Sequence, residues 1–221
     1  MIQIKKIASA VTVALSLVGT ASAAPVVLTF EGSGNLAGVN DFYNGGTDSA
    51  GNAGVNYGIS FSNTSLSLVD SDAGGSGNFA NEPSANTVLF FQNGGAATMN
   101  VAAGFDTGFS FFYSSSAAGF VNVYDGLNGT GALLGSLNLA SNLGGCAGDP
   151  QGTYCNWDAV GVTFAGVARS VDFGGAAFQI AFDDITLGRD TPGQVPEPAT
   201  IGLTALALAG VFAARRKKTA K

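Results

Sequence analysis

Apolar residues in the middle of the chain come in short bursts, at 26–30, 58–62, 65–69, 87–92, 97–101, 108–113, 120–124, 133–139, 160–164, 170–173 and 178–187. Within many of them the period is two. Ile59 shares a face with Phe61, Leu66 with Leu68, and Phe178 with Ile180 and Phe182, the alternation of a pleated strand that turns one side to a core. No run of helical period competes, and Gly, Asn, Ser and Asp fill the gaps as turn residues do. About eleven short strands in this rhythm predict an all-β fold, an antiparallel two-sheet sandwich that is jelly-roll-like. Residues 24–190 have the size of one such domain, and no internal repeat supports a propeller or solenoid.

The two ends break the rhythm. At 1–23, Lys5 and Lys6 precede an apolar stretch and the small residues Ala21, Ser22 and Ala23, the layout of a secretory signal peptide cut by signal peptidase after Ala23. At the other end, 191–200 is a linker in which Pro196 and Pro198 cannot continue a strand or join a helix begun upstream. The uncharged run 201–214 then reads as a helix in lipid, and 215–221 as a basic cytoplasmic tail by the positive-inside rule. Fourteen residues reach about 21 Å against a hydrocarbon core of about 30 Å, a short span suited to temporary retention.

Val195, Pro196, Glu197 and Pro198, followed by a short apolar helix and Arg215, Arg216, Lys217 and Lys218, resemble the PEP-CTERM sorting signal of exported bacterial proteins. The resemblance implies an exosortase-like membrane protease that cleaves near the tripeptide. It implies a domain tethered to the inner membrane on the periplasmic side and then moved to the cell surface or beyond, in bacteria that make exopolysaccharide and biofilm. About the activity of the domain it is silent.

Removing both ends changes the charge balance. Within 24–190 the cations are Arg169 and Arg189, against fourteen carboxylates, so the exported domain has a net charge of −12 with no lysine and no histidine. Nucleic acid and anionic membrane surfaces would be repelled. Without histidine, Ser-His-Asp and Cys-His catalysis and imidazole metal sites are excluded, and without lysine so is a Schiff base. A carboxylate pair of the kind glycosidases use is the chemistry left open, so a glycan-active enzyme is the alternative to a non-catalytic matrix protein.

Cys146 and Cys155 are the only cysteines, nine apart in an exported domain with loop formers between them. A disulfide is expected.

Residues 26–30 lead into Glu31 and Gly32, and the final strand holds Asp183 and Asp184. First and last strands of a jelly roll commonly lie close, and like charges brought together need protonation or a cation. The fragments F-E-G near the start and F-D-D-I-T-L-G near the end resemble jelly-roll carbohydrate-binding modules. That resemblance implies a structural calcium at Glu31 and Asp183, with Asp184 beside them and Asp41 as a further ligand. For sugar contact the candidate platform is Trp157 with Tyr154 beside the disulfide, followed by Tyr43 and Tyr113, since aromatic faces stack on pyranose rings.

Overall fold

The computed structural model describes residues 25–93, 96–147, 149 and 152–193. The expected signal peptide at 1–23, the helix at 201–214, the basic tail and most of the linker, with Val195, Pro196, Glu197 and Pro198, lie outside the described residues. Among the described residues no helix is long and apolar enough to cross a membrane.

Among the described residues, twelve strands form two antiparallel sheets. The larger has the order β10 (Asp158–Thr163), β7 (Gly108–Ser115), β12 (Ile180–Leu187), β5 (Thr87–Phe90), β4 (Leu66–Val69) and β2 (Ala37–Gly38), and β1 (Val26–Leu28) also pairs with β12. The smaller has the order β3 (Ile59–Phe61), β6 (Ala96–Phe105), β11 (Ala168–Gly175), β8 (Gly119–Tyr124) and β9 (Leu133–Leu139). Each of the apolar runs overlaps a strand. Only β2 was silent in the pattern, because two residues are too few to show a period.

The inner faces meet through aromatic rings. Phe173 of the smaller sheet lies 4.9 Å from Phe182 and 6.0 Å from Phe111 of the larger, both pairs edge to face. Around them Leu89, Met99, Phe109, Val121, Val123 and Val171 are fully buried. A second, small cluster of Phe79, Val88 and Ala181 sits apart from this core, with Trp157 and Tyr154 packed against it. It covers the other side of the larger sheet.

β12 is therefore enclosed on both faces, and all eight of its residues are buried. Continuous burial suits apolar residues. Here it includes two aspartates.

Candidate functional site: the carboxylates of the final strand

Along one edge β12 changes partner. Phe182 faces Leu89 of β5, whereas Ile185, Thr186 and Leu187 face Leu28, Val27 and Val26 of β1. On the opposite edge, Asp183 faces Phe112 and Thr186 faces Ser110, so Asp184 and Ile185 together oppose Phe111 in a β-bulge. Asp184 takes the left-handed backbone conformation, φ 47°, and Phe30, just past β1, does the same at 61°. Non-glycine residues pay strain for this, and such positions gather at functional sites.

The gap between β5 and β1 is closed by the segment leading into β5. Ser84 donates its backbone N–H to Asp183 Oδ2 at 2.8 Å and its hydroxyl to Asp183 Oδ1 at 2.7 Å. The backbone N–H of Asp184 also donates to Asp183 Oδ1, at 2.7 Å. Glu31 secures the same segment from the other side, accepting the N–H groups of Asn86 and Thr87 on Oε1 at 2.9 and 2.8 Å. Sequence reasoning brought Glu31 and the two aspartates to one place, and the fold joins them through 84–87. It missed Ser84, which no local signal marks.

Burial dominates the electrostatics. It pushes the Asp183 carboxyl up to about 8, with the neighbouring Asp184 charge adding to the shift against the hydrogen bonds from Ser84. Asp184 is pushed up to about 6, again mainly by burial and further by Glu31. Asp184 Oδ1 is buried without a hydrogen-bond partner, a cost that calls for a proton or a cation. Among the described residues no three carboxylate or thiol side chains converge as metal ligands. Asp41 is exposed in its own turn, accepting the side-chain amide of Asn44 at 3.0 Å.

The expected disulfide is present: Cys146 and Cys155 are bonded, with Cα atoms 5.1 Å apart. The aromatic residues near it are half-buried and make packing and hydrogen-bond contacts. The indole N–H of Trp157 donates to the Ala80 carbonyl at 3.0 Å and its ring meets Phe79 edge to face. Tyr154 shares a hydrogen bond of 2.9 Å with Ser116 Oγ. Tyr43 and Tyr113 are buried in the main core. Tyr43 Oη accepts the N–H of the strained Phe30 at 2.7 Å.

The family model of the PEP-CTERM protein-sorting motif matches residues 194–217. The chain thus carries the signal of an exported protein that is held at the membrane and processed by an exosortase. No curated protein matches the chain. Among solved structures the chain is similar to a family 6 carbohydrate-binding module, at 20% identity over 59% of this chain and 87% of that one, TM-score 0.36. It is similar too to a glycoside hydrolase family 43 arabinoxylan arabinofuranohydrolase from Bacillus subtilis, at 19% identity over 65% of this chain and 31% of that one, TM-score 0.36. A third, CsCBM6-3 from Clostridium stercorarium, has 18% identity over 52% of this chain and 85% of that one, TM-score 0.35. The sandwich stands on its own strand pairing.

Proposed function

We propose that this is a non-catalytic protein of the cell surface or extracellular matrix, associated with exopolysaccharide and released or attached there after its C-terminal signal is processed. The observation that carries the reading is the sorting motif at 194–217, placed directly after a single disulfide-bonded sandwich. The charge of the domain supports it, since −12 without lysine keeps the domain off anionic membranes. The rival glycan-active enzyme needs two carboxylates that flank a bound sugar. Asp183 and Asp184, 0% and 2% exposed, do not supply such a pair.

The test is the intact mass and location of the exported protein in cells with the sorting enzyme, with Pro196, Glu197 and Pro198 intact or replaced. Loss of the tail that depends on the tripeptide, with the product in the matrix fraction, is expected. A tail retained in full by the unaltered chain would overturn the reading.

A structural role for calcium has its own support in the unpartnered Asp184 Oδ1 beside a second buried carboxylate. Asp183 and Asp184 would supply carboxylate oxygens, with the Glu31 charge close by, and calcium also accepts backbone oxygens. Bound there, the ion neutralises buried charge and fixes β12 against the segment before β5. Calorimetric titration of chelator-treated protein should give saturable binding that Asp184→Asn removes; absence of binding would end this reading.

A further inference from the structure

Two cavities, of about 380 and about 410 Å³, open on either side of Tyr57. The first lies between the sheets, with Ile59, Val101 and Leu187 in its walls and the exposed Asp106 and Arg189 also lining it. The second is lined by Val27 and Val55 and backed by Tyr43. Tyr57 is the wall they share.

The ring of Tyr57 is held in place. It stacks on Tyr43, with centroids 6.1 Å apart and planes 26° from parallel, and its backbone N–H donates to the Tyr43 carbonyl at 2.8 Å. Tyr57 is nonetheless 41% exposed. Tyr57 also lines the first cavity, which Tyr43 does not. Arg189 makes no hydrogen bond or ion pair among the described residues, in a domain where fourteen carboxylates compete for two arginines. A fixed aromatic face, a guanidinium with five free donors and a carboxylate acceptor thus line one cleft.

That combination matches a pyranose ring, whose C–H face stacks on an aromatic while its hydroxyls take donors and acceptors at the rim. A domain charge of −12 selects against a polyanionic chain. We infer that Tyr57 is the stacking platform of a cleft for an uncharged hexopyranose glycan, with Arg189 and Asp106 as hydroxyl partners. The inference rests on the polysaccharide association proposed above and deepens it.

The place is distinct from the Trp157 and Tyr154 platform. Tyr154 lies by Ser116 and Phe178, at the start of β12, whereas Arg189 follows its end. Pro25 lines the first cavity, and Gly193 donates its N–H to Thr186 Oγ1 at 3.0 Å, so both described ends of the chain leave near this cleft. The glycan is held at the end of the sandwich where Pro25 and Gly193 lie.

Calorimetry on the full chain in detergent, with neutral β-glucan and xylan oligosaccharides and with a polyuronate, tests this. Neutral oligosaccharides should bind, Tyr57→Ala should weaken them by about tenfold or more, and Tyr57→Phe should stay within about threefold of the parent. Arg189→Ala should weaken them too, with thermal midpoints unchanged in all three variants. Loss of binding in Trp157→Ala or Tyr154→Ala but not in Tyr57→Ala would overturn the inference and leave the association standing. Tighter binding of the polyuronate would overturn the choice of an uncharged glycan. Failure to bind any of these probes or the matrix polysaccharide of the producing strain would overturn both readings.

Discussion

Ser84 grips both oxygens of the Asp183 carboxylate, its N–H on one and its hydroxyl on the other, across a separation of 99 residues. The contact joins the segment before β5 to the centre of β12, whose eight residues are all buried. It also lies where β12 exchanges β5 for β1 as its neighbour.

Removing the hydroxyl should therefore be felt well beyond Ser84. Ser84→Ala leaves a buried carboxylate oxygen with one donor fewer and is expected to destabilise the fold by about 1–3 kcal/mol, read by urea denaturation. Ser84→Thr keeps the hydroxyl and should recover most of the loss. Equal stability of Ser84→Ala and the parent would show that the fork does not hold the junction.

The raised Asp183 and Asp184 carboxyls give stability a definite slope with pH. In the unfolded chain both lose their protons near 4, whereas in the native state they keep them to about 8 and about 6. Between those values the native state binds more protons than the unfolded one, so stability is fully present below about 4 and falls as pH rises towards about 8. The thermal midpoint in chelator should fall over that window. Millimolar calcium should flatten the fall; an identical slope with and without calcium would refute the metal reading.

Asp48 predicts the opposite slope at lower pH. Burial works against its ionised form, but hydrogen bonds from Asn52, Gly34 and Ser33 outweigh it and bring the carboxyl down to about 2. Ala50 N–H adds a further bond at 2.9 Å. Its contribution is present above about 4 and is lost as pH falls through about 2. Asp48→Ala removes the acceptor of the buried Ser33 hydroxyl and of the Gly34, Ala50 and Asn52 N–H groups, and should cost about 1–3 kcal/mol in a denaturant titration. A variant as stable as the parent would mean that the loop from Ser33 to Asn52 does not depend on this carboxylate.

The Cys146–Cys155 bridge closes a short loop, with a sequence separation of 9. Replacing both cysteines by serine should lower stability by about 2–3 kcal/mol in the chain-entropy picture. Mass spectrometry of the exported protein before and after reduction should show a gain of two hydrogens. A reduced pair in freshly exported protein would remove the bridge as a stabilising element.

What could be read in the sequence was local or linear. Ile59 with Phe61, and Ile180 with Phe182, announce strands because a pleat turns alternate side chains to one face, whatever lies opposite. The sorting tail is legible for a similar reason, since its parts follow one another along the chain. The cysteine pair needed only its short spacing and an exported context. The nearness of Glu31 to Asp183 and Asp184 was legible through the usual closeness of first and last strands.

Only the tertiary structure decided how those carboxylates are used. Burial of β12 on both faces depends on Phe79 and Trp157, which arrive from two distant loops, and nothing in F-D-D-I-T-L reports it. The bulge at Asp184 exists because Phe111 opposes two residues, a fact of pairing between strands. Trp157 reads as a sugar platform until its indole meets the carbonyl of Ala80, 77 residues away. Tyr57 and Arg189 line one cleft although 132 positions apart in the chain. Periodicity is a property of a few consecutive residues and survives in the sequence. Burial, hydrogen-bond partners and clefts are made between distant segments, and only the packed fold brings those segments together.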